Sequence, residues 1–106
     1  MDLVEKVYRL TSKLPVDERF GLISQIKRCS VSIPSNIAEG AGRNSKKEFI
    51  HFLSIANGSS AELQTQLLLC IRLGFTSEEN TKSSLDLIIE IQKMNRSLQK
   101  SLKTKD

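Results

Sequence analysis

The sequence predicts an all-α chain, an up-and-down four-helix bundle with a proline-kinked second helix. Three observations carry that prediction. Apolar residues recur at steps of three and four through four separate segments. Short turn signals at Pro15, at residues 40–44 and at Gly74 divide those segments. The composition, 39% apolar but 5% aromatic with no Trp, builds a core from Leu and Ile, which suits packed helices. With 106 residues the chain is expected to form one domain around one core, its helices at about residues 1–14, 16–40, 46–73 and 77–102.

The first segment places Leu3, Val7, Leu10 and Leu14 at steps of four, three and four, with Val4 and Tyr8 beside them, so one helical face is apolar. Thr11 and Ser12 weaken its end. Pro15 stops it, because the residue before a proline is steered out of the helical region. A second helix begins at Pro15 or Val16, with Asp17 and Glu18 in the first turn, where carboxylates favour the exposed amides. Its apolar stripe is Leu22, Ile26, Cys29, Ile33 and Ile37. Pro34 falls inside this run, where it deletes one backbone bond and crowds the carbonyl of Ser30. The apolar register continues through it to Ile37 and Ala38, so the prediction is one bent helix ending near Gly40. Ser30 and Ser32 can supply hydrogen bonds to the freed carbonyls. Phe20, Val31 and Ala38 widen the apolar surface, as a helix facing more than one neighbour requires.

Gly40, Gly42 and Asn44 form the next turn. Ser45, with Glu48 three residues on, is a capping box that starts the third helix. Phe49, Phe52, Leu53, Ala56, Ser60, Leu63, Leu67, Cys70 and Ile71 keep helical spacing up to Gly74, which is placed to end the helix in a left-handed conformation. The run Asn57-Gly58-Ser59-Ser60-Ala61 is a small-residue patch in mid-helix. Gly58 costs about 1 kcal/mol against Ala, and close approach of another helix is the expected compensation. Thr76 and Glu79 offer a second capping box. The fourth helix then carries Leu87, Ile91, Met94, Leu98 and Leu102 in step, and residues 103–106 are expected to fray.

These lengths do not balance. The third helix should span about 42 Å and the first about 21 Å, which leaves about half of one groove uncovered. Either residues precede Met1 or another subunit fills the gap. Self-association is the natural complement of the extra apolar residues on the second helix and the patch at Gly58.

Chemistry is thinly represented. His51 is the only histidine, and with two remote cysteines it cannot assemble a four-ligand zinc site in one subunit. Cys29 and Cys70 sit in apolar runs and read as buried reduced thiols, with a disulfide open if their helices touch. Glu39 near His51 could mimic an acid–base pair, against the simpler reading of a surface hydrogen bond. No catalytic residue, metal site or cofactor is therefore expected, and no enzyme. No signal peptide or membrane span is visible, and a reducing cytoplasm is the consistent address.

The stretch at residues 32–43 holds both interruptions of the helical pattern, and Ser32, Ser35, Asn36 and Glu39 are spaced along one stripe of it. The sequence Gln25-Ile26-Lys27-Arg28, then Ser30-Val31-Ser32-Ile33-Pro34-Ser35-Asn36-Ile37-Ala38-Glu39-Gly40 and Gly42-Arg43, followed by Lys47-Glu48-Phe49, Phe52-Leu53, Ile55-Ala56 and Gly58-Ser59-Ser60-Ala61-Glu62-Leu63, closely resembles the bacterial four-helix-bundle proteins encoded in intervening sequences of 23S ribosomal RNA genes. It also looks like their relatives, the accessory variability proteins of diversity-generating retroelements. The resemblance covers nearly the whole chain. It implies a homopentameric barrel of bundles with a basic surface or channel and, for the retroelement branch, binding to nucleic acid and to a reverse transcriptase. The sequence departs from the pattern in lacking the N-terminal extension, usually with a Trp, that begins the first helix. Lys27 and Cys29 also stand where Arg and Ala are usual.

A net charge of +4 adds weak support for an acidic partner. The candidate contacts with RNA or DNA are Lys27, Arg28, Arg43, Lys46, Lys47, Lys93, Arg96, Lys100 and Lys103. Arg43, Lys46 and Lys47 surround a Gly-rich turn at a helix start, a geometry that can bind phosphate, although Glu48 competes for the same amides. Arg28 can instead pair with Glu39 or Glu62. Lys93, Arg96, Lys100 and Lys103 form one stripe, ordinarily a solvated face. Contacts to phosphates without base readout are expected. Ser32, Pro34, Ser35, Asn36, Glu39, Gly40 and Gly58 are the candidate contacts between copies. The alternative is a structural or protein-interaction scaffold with no nucleic-acid role.

Overall fold

A computed structural model describes residues 1–103, with the side chains of residues 18–20 left aside. Four helices, α1 (Asp2–Thr11), α2 (Ser24–Ala41), α3 (Lys46–Arg72) and α4 (Glu78–Lys103), form the bundle, and α2 is preceded by a 3₁₀ turn (Val16–Glu18) and a π-helical segment (Arg19–Ile23). Each helix packs on its neighbours in chain order and α1 closes the cycle against α4, the up-and-down arrangement. The expectation of an all-α four-helix bundle holds.

Local chemistry sets most boundaries. At the end of α1 the hydroxyls of Thr11 and Ser12 turn back to the carbonyls of Tyr8 and Arg9, at 3.1 and 2.7 Å. These bonds compete with helix continuation, so the helix stops three residues earlier than the periodicity implied. Leu14 is nevertheless buried, as are Leu3, Val7 and Leu10. The second helix does not begin as a regular α-helix at Val16, since the 3₁₀ and π segments precede it. The wider apolar surface expected at Phe20 lies outside the described residues. Helix α2 runs unbroken through Pro34. The serine hydroxyls go elsewhere than the carbonyls freed around Pro34: Ser30 donates to the carbonyl of Lys27 at 2.8 Å, and Ser32 shares a bond with Ser59 of α3 at 2.9 Å.

Helix α3 starts as expected, with the Glu48 amide donating to the Ser45 hydroxyl at 3.0 Å. It ends in a Schellman motif. Gly74 has φ +79°, its amide reaches the carbonyl of Ile71, and the Phe75 amide reaches that of Cys70. The cap of α4 lies one residue later than the Thr76–Glu79 box: Ser77 accepts from the Asn80 amide at 3.1 Å, which leaves Glu78 and Glu79 in the first turn. Lys103 is still helical, and residues 104–106 lie outside the described residues.

The bundle measures 49 × 23 × 19 Å, with a radius of gyration of 14.9 Å, against about 13 Å for a compact chain of this length. Its elongation comes from α3 and α4, with 27 and 26 residues, beside an α1 of 10. Where all four helices overlap, the core is apolar: Leu3, Val7, Leu10, Leu14, Ile23, Ile26, Cys29, Ile33, Leu63, Leu67, Cys70 and Ile88. Both cysteines are buried and neither is in a disulfide. Beyond the reach of α1, three helices remain and the interior changes character.

In that second half the buried face of α4 is Gln92 and Asn95, not the stripe read from the sequence. Met94 is 61% exposed and Leu98 37%. Leu87 and Ile91 are half-buried against the core. The periodicity of Leu87, Ile91, Met94, Leu98 and Leu102 is real, but its lower part faces the groove that the short α1 leaves open. Polar rungs join α3 to α4 instead. Gln92 donates to Ser60 at 3.2 Å and to Gln64 at 3.4 Å, Asn95 donates to Asn57 at 3.1 Å, and Gln99 donates to the Ile50 carbonyl and Ser54 hydroxyl at 3.1 and 2.9 Å. The buried amides of Gln92 and Asn95 are tolerated because each finds a partner, whereas the Oε1 of buried Gln66 on α3 has none among the described residues.

Candidate nucleic-acid interface

Charge is segregated along α4. Residues 78–90 carry Glu78, Glu79, Asp86 and Glu90 against Lys82 alone, and that lysine is held by Asp86 at 3.0 Å. Residues 93–103 carry Lys93, Arg96, Lys100 and Lys103 and no acid. All four cations are exposed. The polar rungs explain their direction: Gln92 and Gln99 point into α3, and Lys93 and Lys100 follow one residue later, about 100° around the helix.

The antiparallel path then brings a second group to the same end. Helix α3 starts where α4 finishes, so Lys46 and Lys47 lie with Lys103 around a shallow depression of about 320 Å³ floored by Ile50 and Leu102. Two candidate groups read separately from the sequence, the turn lysines and the end of the α4 stripe, thus form one basic end of the bundle.

The remaining candidates divide. Arg43 is anchored, its guanidinium 2.6 Å from Glu39 and 5.0 Å above the Phe52 ring. Glu39 is thus paired with Arg43 on the surface, one turn along the same chain segment. Lys27 lies 5.0 Å over the Tyr8 ring and fastens α1 to α2. Arg28 is exposed and shares a concavity between α2 and α3 with Glu62, Gln25, Cys29, Ser32 and Ser59. Lys27 and Arg28 stand about 20 Å up α2 from its end, so they are not part of the basic end.

The stripe at Ser32, Ser35, Asn36 and Glu39 also divides. Ser32 meets Ser59 of α3, and Asn36 donates to the Ser32 carbonyl and hydroxyl at 2.8 and 2.9 Å. Ser35 and Glu39 face outward, while Pro34 is half-buried. Gly40, not Gly58, is where helices of this chain approach closely. A Cβ at Gly40 would stand 2.7 Å from the Phe52 Cβ and 2.9 Å from the Phe49 ring, whereas one at Gly58 meets nothing within 4 Å. The close approach expected at Gly58 is not made within the chain, because that position lies on the outer surface of α3.

No group of three or more His, Cys, Asp or Glu among the described residues could hold a metal ion. His51 is exposed, its ring edge-on to Phe52 at 5.7 Å. Burial pushes the Cys29 thiol up from its ordinary 9.0, helped by the charge and hydrogen bond of Glu62 and opposed by Gln66 and Arg28. It is a neutral thiol at neutral pH, which suits packing and not nucleophilic attack. No helix among the described residues is long and apolar enough to cross a membrane. Sequence reading missed the rungs, although Gln92, Asn95 and Gln99 at steps of three and four were a visible signal.

The fold and this surface define an all-α four-helix-bundle protein with one basic end and polar rungs between α3 and α4 behind it. The chain belongs to the family of 23S rRNA-intervening sequence proteins, whose model matches residues 1–97. The crystal structure of a protein of unknown function from the S23 ribosomal protein family of Bacteroides thetaiotaomicron VPI-5482 is similar to it, with a TM-score of 0.85 and 31% identity over 93% of each chain. No curated protein matches.

Proposed function

We propose that this chain is a non-enzymatic, homo-oligomeric accessory protein, pentameric as the family resemblance implies, that binds RNA or DNA through its basic end in the cytoplasm. The observation that carries the reading is the convergence of Lys46, Lys47 and Lys103 at the foot of the acid-free half of α4. Lysines and an arginine on a regular helix neutralise phosphates and read no base edge, so binding is sequence-independent. Several copies in a ring would sum their fields. The exposed Met94 and Leu98, beside the groove left by the short α1, support self-association. In a retroelement setting the partner would include a reverse transcriptase. Fluorescence anisotropy with mixed-sequence RNA and DNA at 50 and 300 mM salt tests the binding, with tight association at the lower salt expected. Absence of binding at 50 mM would leave the scaffold reading, which the exposed apolar residues favour independently. Sedimentation tests the assembly, and a compact monomer at high concentration would remove the ring.

A further inference from the structure

Resting on that reading, we infer that the basic end takes double-helical nucleic acid in preference to single strands. Proteins that hold single strands pair a basic groove with aromatic platforms on which bases stack, each worth about 1–3 kcal/mol. This end offers almost none. Phe52 lies beneath the Arg43 guanidinium, and Phe49 is half-buried against Gly40. Tyr8 sits on α1 under Lys27, away from the lysine cluster. His51 is the one exposed ring near Lys47 among the described residues, and it is edge-on to Phe52. Affinity here must come from phosphates, so the ligand with the denser phosphate charge is favoured.

The size of the preference follows from counterion release. Four phosphates neutralised by Lys93, Arg96, Lys100 and Lys103 give a log–log salt slope of about −3.6 on a duplex and about −2.8 on a single strand. With equal non-electrostatic terms, that difference is about sixfold in affinity at 100 mM salt and grows as salt falls. The cations also suit a stiff ligand. They span about 15 Å of rigid helix, less than half of one duplex turn of about 34 Å, and the acidic residues 78–90 discourage the backbone from following α4 further. Duplex RNA and duplex DNA share this paired-backbone chemistry.

The experiment compares a 20-base-pair RNA duplex, the DNA duplex of the same sequence, and unstructured oligo-U and oligo-dT of equal length by anisotropy from 50 to 300 mM salt. At least one duplex should bind about sixfold or more tightly than its single-stranded counterpart at 100 mM, with the steeper slope. The exposed pair Lys100→Gln and Lys103→Gln should narrow that gap, and unchanged helical circular dichroism shows that the fold survives. Equal or tighter binding of single strands would overturn the duplex preference and leave nucleic-acid binding standing. No binding of any probe at 50 mM would overturn both. A gap unchanged in the double variant would also overturn the inference, because the α4 stripe would then not be its source.

Discussion

The two halves of this bundle solve the same packing problem with different materials. Where α1 is present, four helices enclose Leu and Ile side chains, and the interior is held by removing apolar area from water. Where α1 is absent, three helices cannot surround an apolar layer of the same width. There Leu53 and Ala56 of α3 are still fully buried, but α3 and α4 are joined by hydrogen bonds among Asn57, Ser60, Gln92, Asn95 and Gln99. Apolar burial is strong but non-directional, whereas paired amides contribute modestly and fix position. The first half therefore supplies stability and the second supplies register, and the exposed cations lie over the second.

Substitutions should separate these roles. Leu63→Ala, at a fully buried site in the apolar half, should cost about 2–5 kcal/mol, read as a lowered midpoint in urea. A loss under 1 kcal/mol there would mean that the apolar half is not the main store of stability. Gly40→Ala should cost about 1–3 kcal/mol through overpacking, because the added methyl meets the Phe52 stem and not a flexible tip. If it is tolerated without loss, α2 and α3 separate more easily at this end than their geometry suggests.

Smaller effects belong to the polar half. Asn95→Ala strands the Asn57 amide oxygen and should cost about 1–2 kcal/mol, whereas replacing both residues by Leu should restore much of the loss. Recovery in the double variant would mark the pair as a positional device; its absence would show the rung to be a net source of stability. Gly58→Ala should stabilise an isolated subunit by about 0.5–1 kcal/mol, because the methyl enters open space on a helix interior. A drop in oligomer content by sedimentation, with the monomer stabilised, would place a second copy against Gly58.

The smallest expected effect is on pH dependence. The raised Cys29 thiol holds its proton more tightly folded than unfolded, so its contribution is fully present below pH 9.0 and is lost as pH rises through the folded value. Cys29→Ser should flatten the decline in stability from about pH 9.0 upward and leave the profile below it unchanged. An unchanged pH profile would assign the decline to other groups.

Much of the fold was legible because its signals are local. The Ser45 cap, the Gly74 stop and the spacing of Leu3, Val7 and Leu10 each act within a few residues, and each appears where its chemistry requires. What escaped depends on neighbours remote in sequence. Which face of α4 is buried is decided by where α1 ends, so Met94 and Leu98 read as core but face open groove. Gly40 and Gly58 are equivalent to propensity, and only the crossing of α2 with α3 distinguishes them. The basic residues were all visible as residues, yet the meeting of Lys46 with Lys103 is a property of antiparallel topology. Ser77 displaced Thr76 as the cap because the Schellman turn through Phe75 sets where α4 can start.

The amide rungs also govern electrostatics without carrying charge. Rotating α4 by a single residue would break every rung at once and swing Lys93, Arg96 and Lys100 away from their present bearing. Neutral side chains thus act as an indexing key for charged ones. A variant greased at residues 92, 95 and 99 could keep its helices and its net charge and still aim that charge in the wrong direction.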